Sequence, residues 1–252
     1  MKAGKIIKLS LVSLLFLGLV AYIVYSVTCL SGPNPEEICT AVKLEFTNGK
    51  QSEFIDKNEV EAMLKAAHVY PTGMLMKDVD TKKIEETIRA NDFVAHVECY
   101  KTSNGKLCVK VEQRVPVIYV IPEGRSGYFV DAQGYIIPNT NYASNIVTAT
   151  GKIDDEFAKT SLSEFGQFLQ GDDFWNSQIE QLYVYKNRKG EPLVEVVPRV
   201  GEHIITLGSL DNYEKKLNRL KVFYDNAINT VGWDKYAKIS LEYDNQIICT
   251  KK

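Results

Sequence analysis

Three kinds of hydrophobic pattern follow one another along the chain. The first is the run LSLVSLLFLGLVAYIVYSV from Leu9 to Val27, which carries no charge and is apolar on every side. At about 1.5 Å of rise per residue, a helix of this length covers roughly the 30 Å of a bilayer's hydrocarbon. Lys2, Lys5 and Lys8 precede the run with no acidic residue among them, and the first charges after it are Glu36 and Glu37. That asymmetry holds a short amino tail in the cytoplasm. The pattern predicts a cytoplasmic tail over 1–8, a transmembrane helix over 9–30 and the rest of the chain outside. The apolar run exceeds the roughly 7–15 residues of a signal-peptide core and Ser26-Val27-Thr28-Cys29 offers no A-x-A site, so an uncleaved anchor is expected.

The second pattern mixes periods of two and of three to four. Ser31-Gly32-Pro33-Asn34-Pro35 reads as a stiff spacer. Ala41 to Phe46 then alternates apolar and polar residues as a half-buried strand does, with a turn at Asn48-Gly49. Asp56 and Glu59 form a capping-box pattern before Val60, Met63, Leu64 and Ala67, which predicts a helix to about His68. Pro71 and Gly73 break the chain, and Asp80 caps a second helix carrying Ile84, Thr87 and Ile88. Phe93 to Lys101 and Lys106 to Val120 read as two strands around Ser103-Asn104-Gly105. A three-residue loop with Gly105 left-handed sets Cys99 opposite Val109 and Val97 opposite Val111, which gathers the apolar side chains on one surface and puts Cys108 on the other.

The third pattern is mostly of period two. Tyr128 to Val130 and Tyr135 to Ile137 flank Asp131-Ala132-Gln133-Gly134, which reads as an Asx-type turn and not as an active carboxylate. Ser163 to Leu169 reads as a helix, and Gln181 to Lys186 and Pro192 to Val197 as strands joined at Asn187-Arg188-Lys189-Gly190. Tyr213, Leu217, Leu220, Tyr224 and Ile228 recur at helical spacing behind Asp211 as cap, a stripe expected to face the core. Ala237, Ile239, Leu241 and Tyr243 alternate with polar residues, Asp244-Asn245 turns the chain, and Gln246 to Thr250 makes a last short strand. The fold class expected is α+β: a transmembrane helix, a β-α-α-β-β domain over 36–122, and a β-rich domain over 123–252 with an amphipathic helix and two final strands.

Charge and chemistry narrow the picture. The 30 Lys+Arg against 32 Asp+Glu leave no basic field for nucleic acid, and the part beyond the three amino-terminal lysines is mildly acidic. Cys39, Cys99, Cys108 and Cys249 fit no disulfide framework or C-x-x-C site and read as core residues or unpaired thiols. No H-E-x-x-H, G-x-S-x-G, P-loop or dinucleotide fingerprint occurs. His68, His96 and His203 are scattered and read as surface or capping residues. The acidic pairs Glu85-Glu86, Asp154-Asp155 and Asp172-Asp173 read as solvated faces or loops. No cofactor, metal or small-molecule substrate is expected.

Glu112-Gln113-Arg114-Val115-Pro116-Val117, followed by Tyr128-Phe129-Val130-Asp131-Ala132-Gln133-Gly134-Tyr135, resembles the signature of the FtsQ/DivIB cell-division family. Gly73 with Asp80, and Ile205-Thr206-Leu207-Gly208, fit the same family in order. The resemblance implies that the β-α-α-β-β domain is of the POTRA type and that the protein is a non-enzymatic divisome scaffold at the septum, spanning the cytoplasmic membrane once. It implies FtsB-like and FtsL-like single-pass partners and, through them, the septal synthases FtsW and FtsI. It also implies that the last strands hold the FtsB-like protein, with Tyr243, Asp244, Asn245, Gln246, Ile247 and Ile248 as partner-binding residues. The rival readings are a membrane-tethered envelope hydrolase and a POTRA-type envelope chaperone.

Overall fold

A computed structural model describes residues 2–26, 34–48, 54–140, 146–228 and 232–252, and side chains from residue 13 onward. Cys29, Gly49 and positions 31–33 of the expected spacer lie outside the described residues. The chain forms two compact units, residues 1–49 with 55–113 and residues 50–54 with 114–252.

In the first unit, helix α1 spans Lys2–Tyr25, and Leu14, Leu15, Phe16, Leu17, Ile23 and Tyr25 are exposed on it. Among the described residues, no helix is long and apolar enough to cross a membrane. Strand β1 (Ala41–Phe46) leads to α2 (Lys57–Ala66), α3 (Thr81–Arg89), β2 (Val94–Lys101) and β3 (Lys106–Gln113). The sheet order is β1-β3-β2, with β1 parallel and β2 antiparallel to β3. Val60, Leu64, Ile84 and Ile88 pack from the two helices onto Leu44, Val97, Val109 and Val111 of the sheet. This is the expected strand-helix-helix-strand-strand order, and the hairpin takes the expected register of Cys99 on Val109 and Val97 on Val111, with Gly105 at φ +66°.

Both helix caps are those read from the sequence. Asp56 accepts from the Glu59 amide at 2.8 Å while the Glu59 carboxylate accepts from the Asp56 amide at 2.9 Å, and Asp80 accepts from the Lys83 amide at 3.1 Å. Helix α2 stops at Ala66, short of His68, which is left-handed at φ 56°. Replacing Asp56 with Ala removes one half of a reciprocal cap and is expected to cost the first unit about 1 kcal/mol, read as a lowered urea midpoint at unchanged slope. The four described cysteines are free. Burial pushes the Cys99 thiol up to about 12, which keeps it protonated and unreactive.

Among the described residues, the second unit carries a nine-stranded mixed sheet. Its strands are β4 (Pro116–Pro122), β5 (Tyr128–Asp131), β6 (Ile136–Pro138), β7 (Thr148–Gly151), β8 (Ile179–Lys186), β9 (Pro192–Pro198), β10 (Ile204–Gly208), β11 (Tyr236–Ser240) and β12 (Ile248–Lys251). Their order is β12-β11-β10-β9-β8-β7-β4-β5-β6. Between β7 and β8 come α4 (Asp155–Phe157), a π-helical turn, α5 (Ser163–Gly171) and α6 (Asp173–Gln178); α7 (Tyr213–Phe223) lies between β10 and β11 and continues as a π-helical turn over Tyr224–Ile228. Phe165, Leu169, Leu217 and Leu220 from the helices share one core with Val120, Leu182, Val196, Ile205 and Ile239 of the sheet, whereas Ile121, Tyr183, Val197 and Ile204 remain exposed.

Several expectations are corrected here. Lys106 to Val120 is not one strand: β3 ends at Gln113, and β4 pairs with β5 and β7 in the second unit, so the first unit does not extend to residue 122. The physical reason lies in Gln113 and Pro116. The Gln113 side chain, 3% exposed, accepts from the Ile55 amide at 3.0 Å and donates to the Ile55 carbonyl at 3.2 Å, which ties the end of β3 to the start of the helical segment. Pro116 has no amide with which to continue a ladder. Asp211 does not cap α7; the cap position is Asn212, left-handed at φ 53° and without a side-chain bond. The acidic pairs, read as solvated faces or loops, also make contacts that the sequence did not show. Asp154 accepts from the Phe157 amide, Asp172 from the Trp175 amide, and Glu85 from the Cys99 amide of β2, so each pair supplies a helix cap or covers part of a strand edge.

Candidate functional site

The C-terminal margin of the second unit is built from β10, β11, β12 and α7. Strand β11 runs parallel to β10, with Ile205 opposite Ile239, and antiparallel to β12, with Ser240 opposite Ile248 and Ile239 opposite Cys249. Strand β12 is last in the sheet order and has β11 as its sole neighbour among the described residues. Alternation shows which of its backbone groups are spoken for. The Leu241 amide donates to Thr206 on the β10 side, and the Lys252 amide donates to Lys235 on the β11 side. Even-numbered residues of β12 therefore face β11, and the N–H and C=O groups of Cys249 and Lys251 point outward, where a further strand would pair.

The six residues read as partner-binding come together at this margin, but not as a strand. Of them, only Ile248 lies in β12; β11 ends at Ser240, so Tyr243 to Ile247 form the connection. Tyr243 is 56% exposed, Asn245 is left-handed at φ 62°, and Ile247 packs partly against the core. What the alternation of apolar residues could not reveal is Arg219 of α7. Its Nη1 donates to the Tyr243 carbonyl at 2.7 Å and its Nη2 to the Leu241 carbonyl at 2.9 Å, two charge-assisted bonds from one fork. Arg219, Val222 and Phe223 of α7 face Asn245, Gln246 and Ile247 across an open groove of about 550 Å³. The signal in the sequence was an arginine within the apolar spacing of α7, placed between Leu217 and Leu220.

A second cluster unites the two motif segments. Arg114 Nη1 lies 2.8 Å from Asp131 Oδ2, with side-chain exposures of 14% and 1%, and the guanidinium sits 3.8 Å over the Tyr135 ring. The other Asp131 oxygen accepts from the amides of Gln133 at 3.0 Å and Tyr135 at 2.8 Å, which is the Asx turn read from the sequence. Gly134, at φ +79°, closes it; a Cβ there would stand 2.3 Å from the Lys159 carbonyl oxygen. The Ser163 hydroxyl donates to the Asp131 carbonyl at 2.6 Å. Every Asp131 oxygen is thus engaged in holding the entry to β4, the β5–β6 turn and the start of α5, and this carboxylate is structural.

The histidines do not converge. His96 is exposed beside Glu98, and among the described residues no group of three His, Cys, Asp or Glu side chains could hold a metal ion. His203, expected at the surface, is instead 1% exposed. Its Nε2 is 2.9 Å from the Tyr224 hydroxyl, and its ring packs beside those of Tyr224 and Trp233, which also touch each other. Nδ1 has no partner at hydrogen-bond distance among the described residues, although the nearby Trp233 carbonyl favours a proton there. Burial holds the His203 pKa below its ordinary value, Lys252 adds to the effect, and the Trp233 carbonyl and Asp234 oppose it. The unfolded chain therefore takes up the proton first. Stability is whole above about pH 6.5 and declines as pH falls from there toward the depressed folded value. Urea denaturation between about pH 8 and about pH 5 should show this decline, and His203→Gln should flatten it.

Comparison with known proteins bears on both units. A family model described as FtsQ/DivIB, C-terminal related, matches residues 115–250, and one described as a POTRA-like domain matches residues 37–112. A protein named "Cell division protein FtsQ" from Rhodothermus marinus is 22% identical over 189 residues, which cover 70% of this chain and 67% of that protein.

Proposed function

Since the chain belongs to the FtsQ/DivIB family, we propose that it is a non-enzymatic scaffold of the bacterial division machinery. It acts outside the cytoplasmic membrane, tethered by the apolar run from Leu9 to Val27 and oriented by Lys2, Lys5 and Lys8. In this reading its C-terminal margin takes up a β-strand from an FtsB-like single-pass protein, which arrives with an FtsL-like one. Through them the scaffold reaches the septal synthases FtsW and FtsI. The observation that carries the reading is the outer side of β12, a terminal strand with a single neighbour among the described residues. An open strand edge is a template for another chain. Anchoring both proteins in one membrane confines them to a plane and raises their effective concentration, so a short strand contact suffices.

Asp131, Asp154 and Asp172 each accept from backbone amides at a turn or a helix start, which supports reading them as structural groups of a binding protein. Depleting the protein should give filamentous cells with unfinished septa, and normal division on depletion would defeat the assignment. Recovery of the anchored full chain from membranes, followed by identification of what travels with it, tests the partners. An FtsB-like protein should co-purify, and its absence would remove the strand-capture reading.

A further inference from the structure

We propose that Arg219 is the positioning residue of the C-terminal margin: its guanidinium holds residues 241–243 off a hairpin ladder that they would otherwise extend, and so keeps Tyr243 and Gln246 displayed. The proposal rests on reading this margin as the partner-capture site.

The register makes the alternative concrete. Strands β11 and β12 pair Lys238 with Thr250, Ile239 with Cys249 and Ser240 with Ile248. Continued outward, the same register sets Leu241 opposite Ile247 and Glu242 opposite Gln246. Tyr243, Asp244 and Asn245 would then form a three-residue loop ending in a left-handed residue, a common hairpin connection. Asn245 already has that conformation, at φ 62°, and the apolar-polar alternation of Leu241, Glu242 and Tyr243 suits a strand. Yet neither rung forms: β11 ends at Ser240 and β12 begins at Ile248.

Arg219 accounts for the missing rungs. Carbonyls two residues apart on one side of an extended strand are roughly 7 Å apart, beyond the span of the two parallel N–H groups of a guanidinium fork. At 2.7 Å and 2.9 Å from Tyr243 and Leu241, the fork holds a backbone that bends at Tyr243. The bend carries Glu242 and Gln246 out of register. Glu242 turns to the Ser240 hydroxyl instead, its amide 3.5 Å and its Oε2 3.1 Å from that oxygen. A longer hairpin would draw Tyr243 into the turn and close the groove against α7. The clamped form leaves both open.

The test uses the anchored full chain. Arg219→Met keeps the aliphatic stem and removes the fork. The amides of Glu242 and Gln246 should gain about tenfold in hydrogen-exchange protection, recovery of the FtsB-like partner should fall about tenfold, and Ile239 should keep its protection. Arg219→Lys, which keeps the charge but replaces the planar fork with a single ammonium nitrogen, should fall between. Unprotected Glu242 and Gln246 amides with unchanged recovery would overturn the proposal. Protection gained with recovery unchanged would uphold the clamp and overturn the capture reading. If Arg219→Met also loses protection at Ile239, the decisive variant is Glu242→Cys with Gln246→Cys in a Cys249→Ser background, Arg219 retained. Oxidation locks the longer hairpin and should abolish recovery, reduction should restore it, and recovery indifferent to oxidation would overturn the proposal.

Discussion

A Cys249→Pro substitution is expected to abolish capture of a partner strand while leaving the nine-stranded sheet folded. The Cys249 amide points away from β11, so its loss costs no bond within the protein, and proline is tolerated on the outer side of an edge strand. For an incoming strand the same substitution removes a donor and places a ring where its backbone would lie, a penalty of about 3 kcal/mol or roughly a hundredfold in affinity. Thr250→Pro is the internal control. Thr250 faces Lys238, so proline there breaks the native ladder and should lower the urea midpoint as well as capture. Equal losses of stability for the two variants would show that the alternation along β12 has been misassigned. Undiminished capture by a folded Cys249→Pro protein would rule out strand addition at this edge.

The largest expected loss of stability comes from Arg114→Met. It leaves Asp131, 1% exposed, as a buried carboxylate without its counter-charge, and breaking such a pair from one side costs about 3–5 kcal/mol. In a unit of this size that lowers the melting temperature by roughly 10 °C. Asp131→Asn should be milder, because the amide oxygen still accepts from Gln133 and Tyr135. Added to Arg114→Met, it should restore part of the loss, since the orphaned charge is gone. Additive effects in this double-mutant cycle, followed by thermal unfolding, would mean that the pair contributes no coupling.

The sequence was most legible where structure is local. Asp56 with Glu59, Asp80 with Lys83, and the Cys99–Val109 register each depend on residues a few positions apart or on one turn, and each is found. The same holds for Asp131 as a turn residue. The failures share a different cause. Gln113 ends β3 because Ile55 takes its side chain, Arg114 meets Asp131 across a change of direction, and Arg219 reaches carbonyls two elements further on. Polar side chains that meet backbone or charge at long range leave no period in the sequence. Alternation therefore ran past the true ends of β3 and β11, and the same blindness hid His203; the local caps of Asp154 and Asp172 were missed for another reason, since the helices they start are too short to show a period. At the candidate site a connection from Tyr243 to Ile247 stands where alternation predicted strand, and the one hint of the contact that shapes it was an arginine within the apolar spacing of α7.

From β7 to β12 the strands of the second unit lie side by side in the order in which they occur along the chain. Each is docked on its predecessor, so fluctuations should peel the sheet from β12 inward, giving amide exchange that slows steadily from Lys251 toward β8. A guest strand seated on β12 would then do more than tether its owner: it would block the first step of that unravelling, and occupancy of the margin would set the lifetime of the whole host unit.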